Sequence, residues 1–158
     1  MGRMYSASFE GVAVTAVQDF FEVSPAANKP VAVHGLYLSQ SSDTGDAAEE
    51  ILRVLMQRVP ATVTSGSGGS TPTVVPLNAN SAAAGAVVEA NNTTGATSTG
   101  TIVNLHAEAF NIRVGMAWIP TPEMRPIVKN AEVFIVELMA APADSLTMSG
   151  TIYLEELA

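Results

Sequence analysis

Apolar and polar residues alternate with a period of two along most of the chain, the spacing of half-buried strands and not of helices. The segment YSASFEGVAVTAVQDFFEV, from Tyr5 to Val23, mixes β-branched and aromatic residues around Gly11 and reads as two short strands, with Val12 and Val14 on one face. SPAANKP interrupts the pattern with turn formers at Pro25, Asn28 and Pro30. VAVHGLYLSQ resumes it, with Val31, Val33 and Tyr37 facing one way and Ala32, His34, Leu36 and Leu38 the other. Later, IVNLHAEAF aligns Val103, Leu105 and Ala107, and NIRVGMAWIP aligns Ile112, Val114, Met116 and Trp118 opposite Arg113, Gly115 and Ala117. PTPEMRP forbids a helix through Pro120, Pro122 and Pro126. AEVFIVELMA sets Phe134, Val136 and Leu138 against Val133, Ile135 and Glu137, a strand covered on both faces. The closing LTMSGTIYLEEL puts Leu146, Met148, Ile152 and Leu154 on one face and Thr147, Ser149, Thr151 and Tyr153 on the other.

Two segments resist this pattern. SSDTGDAAEEILRVLMQR carries capping-box spacing at Asp46 and Glu49 and a helical stripe through Ala47, Ile51, Val54, Leu55 and Arg58. Leu52, Val54 and Met56 also alternate with Arg53, Leu55 and Gln57, and Pro60 closes an extended run. The strand-like flanks favour an acidic loop over 41–50 followed by a strand from Ile51 to Val59; a partial helix over 46–58 is the alternative. Residues 62–101 are rich in Gly, Ser, Thr, Ala and Asn, with Glu89 as the one ionisable side chain. Such a low-complexity stretch is disordered or drapes over another surface, with short edge strands available around Val74–Leu77 and Ala86–Ala90.

About eight strands without βαβ alternation predict an all-β fold: an antiparallel β-sandwich, specifically a jelly roll. The 158 residues suit one domain, 1–158, with 62–101 as an insertion loop.

Composition narrows the function. Hydrophobic residues make up 47% and charged ones 14%, enough apolar surface for a packed core. A net charge of −8 repels nucleic-acid phosphate. The absence of cysteine removes disulfides, thiolate metal sites and thiol nucleophiles. No apolar run approaches the ~18 residues a membrane span needs, and no secretory h-region is present, so the expectation is a protein neither exported nor membrane-bound. Gly2 with Ser6 matches a short myristoylation pattern of high chance rate.

Candidate chemistry is sparse. Asp43, Asp46, Glu49 and Glu50 cluster hard oxygens that suit Ca²⁺, but lack the alternating order of an EF-hand loop and read as a solvated turn. His34 and His106 lack a third ligand pattern and read as hydrogen-bonded structural side chains. GSGG around Ser67 has no phosphate-loop lysine, the sequons at Asn91 and Asn92 matter only on export, and no G-x-S-x-G elbow exists. Asp19, Glu22, Glu108, Glu132, Glu137, Glu155 and Glu156 could pair as in a glycosidase, but read as surface carboxylates, with Glu155 and Glu156 solvating an edge strand. No catalytic residue, metal or cofactor is therefore assigned, and the chain is read as a non-enzyme. The residues available for association are Tyr5, Phe9, Phe20, Phe21, Val74, Val75, Leu77, Val87, Val88 and Trp118, although for Phe20, Phe21 and Trp118 the alternation of Trp118 with Met116 and Val114 favours ordinary core packing over an association role.

The order SASFEGVAVTAVQDFFEV, NKPVAVHGLYLSQSSDTGDAAEE, VTSGSGGSTPTVVPL, EANNTT, WIPTPEMRPIV and APADSLTMSGTIYLEEL spans nearly the whole chain. In that order it resembles small jelly-roll decoration, or cement, proteins among the virion structural proteins of tailed bacteriophages. The resemblance implies a homotrimer made in the host cytoplasm that sits on the capsid surface, binds the major capsid protein and stabilises the head. It implies no catalytic residues. The alternative from another class is a carbohydrate- or receptor-binding β-sandwich of a phage tail or fibre. Removal of Ser65–Asn92 is expected to weaken assembly and leave the sandwich folded.

Overall fold

The computed structural model describes residues 2–42 and 50–157. Asp43, Asp46 and Glu49 lie outside the described residues. The chain forms β1 (Arg3–Val14), β2 (Gln18–Ser24), β3 (Val31–Gln40), β4 (Ile51–Val59), β5 (Val63–Thr64), β6 (Val75–Pro76), β7 (Val87–Asn92), β8 (Thr97–Ser98), β9 (Val103–Asn111), β10 (Met116–Trp118), β11 (Ile127–Val128), β12 (Val133–Leu138) and β13 (Leu146–Glu156). One 3-10 turn, Pro122–Met124, lies between β10 and β11. The strand expected from Ile51 to Val59 is present with those bounds.

All pairings are antiparallel, and they build an all-β sandwich. One sheet runs β10-β3-β13-β1-β6, with β11 also on β3; the other runs β7-β2-β12-β4-β9; β5 and β8 form a separate ribbon. The inner faces meet in one core that includes Tyr5, Phe20, Phe21, Leu36, Met56, Phe134, Met148, Ile152 and Leu154. Burying each such side chain contributes on the order of 1.5–3 kcal/mol, and this drives the two sheets together. β12 is covered on both faces, as its continuous apolar run requires. Its outer residues Val133 and Ile135 join Val59 in a second small cluster, against which pack Val63 of β5 and Ala96, the residue before β8.

Bulges decide which side chains enter the core. Between Phe9 and Val12, β1 gains a residue against β13, and Gly11 takes φ of +62° there, a conformation that L side chains rarely adopt. Parity flips at that point, so Tyr5, Ala7 and Phe9 share the interior with Val14. A shift between Tyr153 and Leu154 does the same to β3. Val31 and Val33 face inward with Leu36 and Leu38, whereas Tyr37 is exposed, which corrects the uniform alternation expected there. A bulge in the β2–β12 pairing lets the consecutive Phe20 and Phe21 both become buried.

Other expectations are corrected. Residues 112–115 are not strand, and Val114 is 85% exposed where the alternation placed it beside Met116. β13 is no edge strand, since it pairs with both β1 and β3. Segment 62–101 is no simple insertion loop: β6 extends one sheet and β7 the other. Within GSGG a Cβ on Gly69 would fall 2.1 Å from Ala90 O, so the close backbone approach there requires glycine.

Candidate functional site

Sheet margins are where a sandwich exposes unpaired N–H and C=O groups, and this chain closes most of its own. β1 is partly covered by β6, extended by the Leu77 N–H to Met4 C=O bond. β7 exchanges two backbone bonds between Ala90 and Ser70. β3 is flanked by β10 and β11. Among the described residues, the outer edge of β9 has no strand partner.

β9 is also poor in buried side chains. Its burial pattern is exposed at six of nine positions, with Phe110 alone buried. Val103 is 38% and Leu105 37% exposed, so the expected face of Val103, Leu105 and Ala107 is a surface. Beside it lies a cleft of about 340 Å³ lined by Leu105, His106, Trp118, Pro120, Met124 and Pro126. His106 faces Trp118 with ring centroids 5.6 Å apart and bonds Glu108 Oε2 through Nε2 at 3.1 Å. The exposed Ile119, Met124 and Ile127 continue the apolar surface along the connection from β10 to β11.

The residues singled out for association separate into two groups. Tyr5, Phe9, Phe20, Phe21 and Val88 are buried in the core, and Val74 packs half-buried against it. Val75, Leu77 and Val87 are exposed, the first two along the β1 margin and Val87 on β7. Trp118 alone of the set lines the cleft. Sequence reasoning missed Leu105, Met124 and Ile119 as surface residues. The available signal was PTPEMRP, a segment that cannot continue a regular strand and that lines the cleft through Pro120, Met124 and Pro126.

Three carboxylates read as surface groups are instead buried. Glu156 Oε1 accepts the N–H groups of Gly85 and Ala86 at 2.5 and 2.7 Å, and its other oxygen lies 3.5 Å from Lys29 Nζ. Glu22 Oε2 accepts from Gly66 N–H and Asn92 Nδ2, and Asp19 Oδ2 from Ala96 N–H at 3.0 Å. Asn91 and Asn92 are themselves buried, inside this layer. His34 bonds Glu155 at 2.7 Å, so the two histidines each hold a separate carboxylate. Among the described residues, no group of three or more His, Asp or Glu is arranged to hold a metal ion.

Burial, more than the nearby Glu137 and Glu22, raises the Asp19 carboxyl to a pKa of about 6 against the Ala96 N–H bond. A carboxyl raised in the folded state favours the protonated form there, so ionisation costs stability as pH rises from 3.8 through about 6. Asp19→Asn keeps an acceptor for Ala96 and cannot ionise. We expect the variant to be more stable than the parent by about 1–3 kcal/mol at pH 7.5 and equal to it near pH 4, read from urea midpoints. Parallel pH profiles would show that Asp19 ionises freely.

Comparison with family models, with curated proteins and with solved structures finds no match to this chain.

Proposed function

We propose that the chain is a structural virion protein that acts by adhesion, a capsid decoration protein on the head of a tailed bacteriophage. The single observation that carries an assembly role is the β9 margin: a nine-residue edge strand left open among the described residues, beside exposed apolar side chains. Folded chains cover or charge such edges unless something pairs with them. The strand order β10-β3-β13-β1 against β2-β12-β4-β9 supports the jelly-roll form, the order that two interlocked Greek keys generate. In this reading the protein is a homotrimer on the capsid surface, with the major capsid protein as partner, and catalyses nothing.

The test mixes purified protein with heads of the phage that encodes it, after stripping accessory proteins. Co-sedimentation, with heads that then resist heating better, is expected. Absence of binding together with a mass of 16.4 kDa by light scattering would overturn the reading. Deleting Ser65–Asn92 is not a usable test, because that segment supplies the buried Val88 and Ala90 to the core.

One observation favours the second reading, a carbohydrate- or receptor-binding module: Trp118 and His106 lie together in the cleft, an aromatic surface on which a sugar ring stacks. A specific glycan-array signal lost in Trp118→Ala would select it.

A further inference from the structure

We propose that β9 is a self-recognition strand, on which the β9 strand of a second copy docks antiparallel about a two-fold axis through Ala107. Backbone phase comes first. Ile112 N–H bonds Glu50 C=O, and Met139 N–H bonds Arg53 C=O on the other side of β4. Odd residues of β4 therefore face β12, and even ones face β9. With Val54 opposite Glu108 and Leu52 opposite Phe110, the amide groups of Glu108 and Phe110 point to β4. Those of Ala107 and Ala109 point away from the sheet, unpaired among the described residues.

Charge then selects the partner and the register. A two-fold pairing centred on Ala107 sets His106 opposite Glu108 of the other copy, and Glu108 opposite its His106, so each imidazole meets a carboxylate. Centring on Glu108 opposes two carboxylates, centring on His106 opposes two imidazoles, and centring on Ala109 leaves Glu108 against Phe110. Only the Ala107 register is complementary at both ends. Ala107 and Ala109 are small and exposed, so no bulky side chain of their own blocks the approach. The result is one sheet continued across two copies, an isologous contact. It deepens the adhesion reading by naming a partner, and it is separate from any three-fold contact of a decoration trimer, which cannot be isologous.

The chain has no cysteine, so single substitutions report cleanly. In this register the two Ala107 Cα atoms lie about 5.5 Å apart, within disulfide reach, whereas the two Ala109 positions are on the order of 13 Å apart. Mild oxidation of Ala107→Cys is expected to give a covalent pair at least tenfold faster than Ala109→Cys. His106→Glu should weaken association at least tenfold, and the swap His106→Glu with Glu108→His should restore it. Ala107→Pro removes only an outward N–H, so a folded variant, checked by circular dichroism, should lose the pair. Equal cross-linking at 107 and 109, or association unchanged in His106→Glu, overturns the proposal. Head binding without cross-linking sinks the β9 contact alone; cross-linking without head binding sinks the decoration reading alone.

Discussion

Replacing Phe21 by alanine is expected to lower the stability of the folded chain by about 3–5 kcal/mol. Phe21 is fully buried on β2, opposite Val136 of β12 and Ala90 of β7, and its ring lies 5.2 Å from that of Phe9. Phe9 in turn stacks on Phe20 at 6.2 Å, so the three rings join both sheets at one point. Truncation removes an aromatic side chain from the centre of the sandwich and leaves a cavity that two paired neighbours hold open. Set against a total of about 5–15 kcal/mol for a domain, the loss is a large fraction of what keeps it folded. The urea midpoint should fall steeply, with Phe21→Leu in between. An aromatic residue serving association would behave otherwise: the mass in solution would drop and the midpoint of the isolated chain would hold. That second outcome would return Phe20 and Phe21 to the surface.

Glu156→Ala is expected to cost about 2–3 kcal/mol and to loosen the segment that closes one end of the sandwich. The carboxylate is 2% exposed and takes two backbone N–H groups, Gly85 and the buried Ala86, that precede β7. Charged acceptors on backbone amides are among the stronger hydrogen bonds, and alanine leaves the Ala86 amide buried without an acceptor. Lys29 is partly exposed and re-enters water at little cost, so its contribution is minor. Hydrogen exchange at Ala86 should accelerate in step with the loss of stability, and Glu156→Gln, which keeps an acceptor oxygen, should retain part of the protection. Unchanged exchange at Ala86 would mean that the segment is held by other contacts, such as the Tyr5 hydroxyl to Ala82 C=O bond.

The candidate surface was only partly legible. The alternation in IVNLHAEAF identified a strand but not its place at a margin, because the same period of two serves a central strand and an edge. Trp118 was singled out as an aromatic that suits either core or contact, and the cleft shows it half in each. The polar residues were harder. Asp19, Glu22 and Glu156 carry the same charge as solvated carboxylates elsewhere in the chain, and nothing local distinguishes a side chain that will cap backbone amides from one that will face water.

By itself, the sequence determined the sandwich, the strand from Ile51 to Val59, the double-sided burial of β12 and the inward row from Leu146 to Leu154. Apart from the Ile51–Val59 strand, which its strand-like flanks favoured over a local helix signal, those follow from a local cause, since side chains two apart share a face and apolar rows must be buried. Tertiary structure alone decided the rest: which strand ends a sheet, where Gly11 and the Tyr153–Leu154 shift reverse the faces, and how residues 62–101 close over β7 and Glu156. These depend on pairings between residues far apart in the chain, where register and bulges are set by the neighbouring strand and not by the residues of the strand itself.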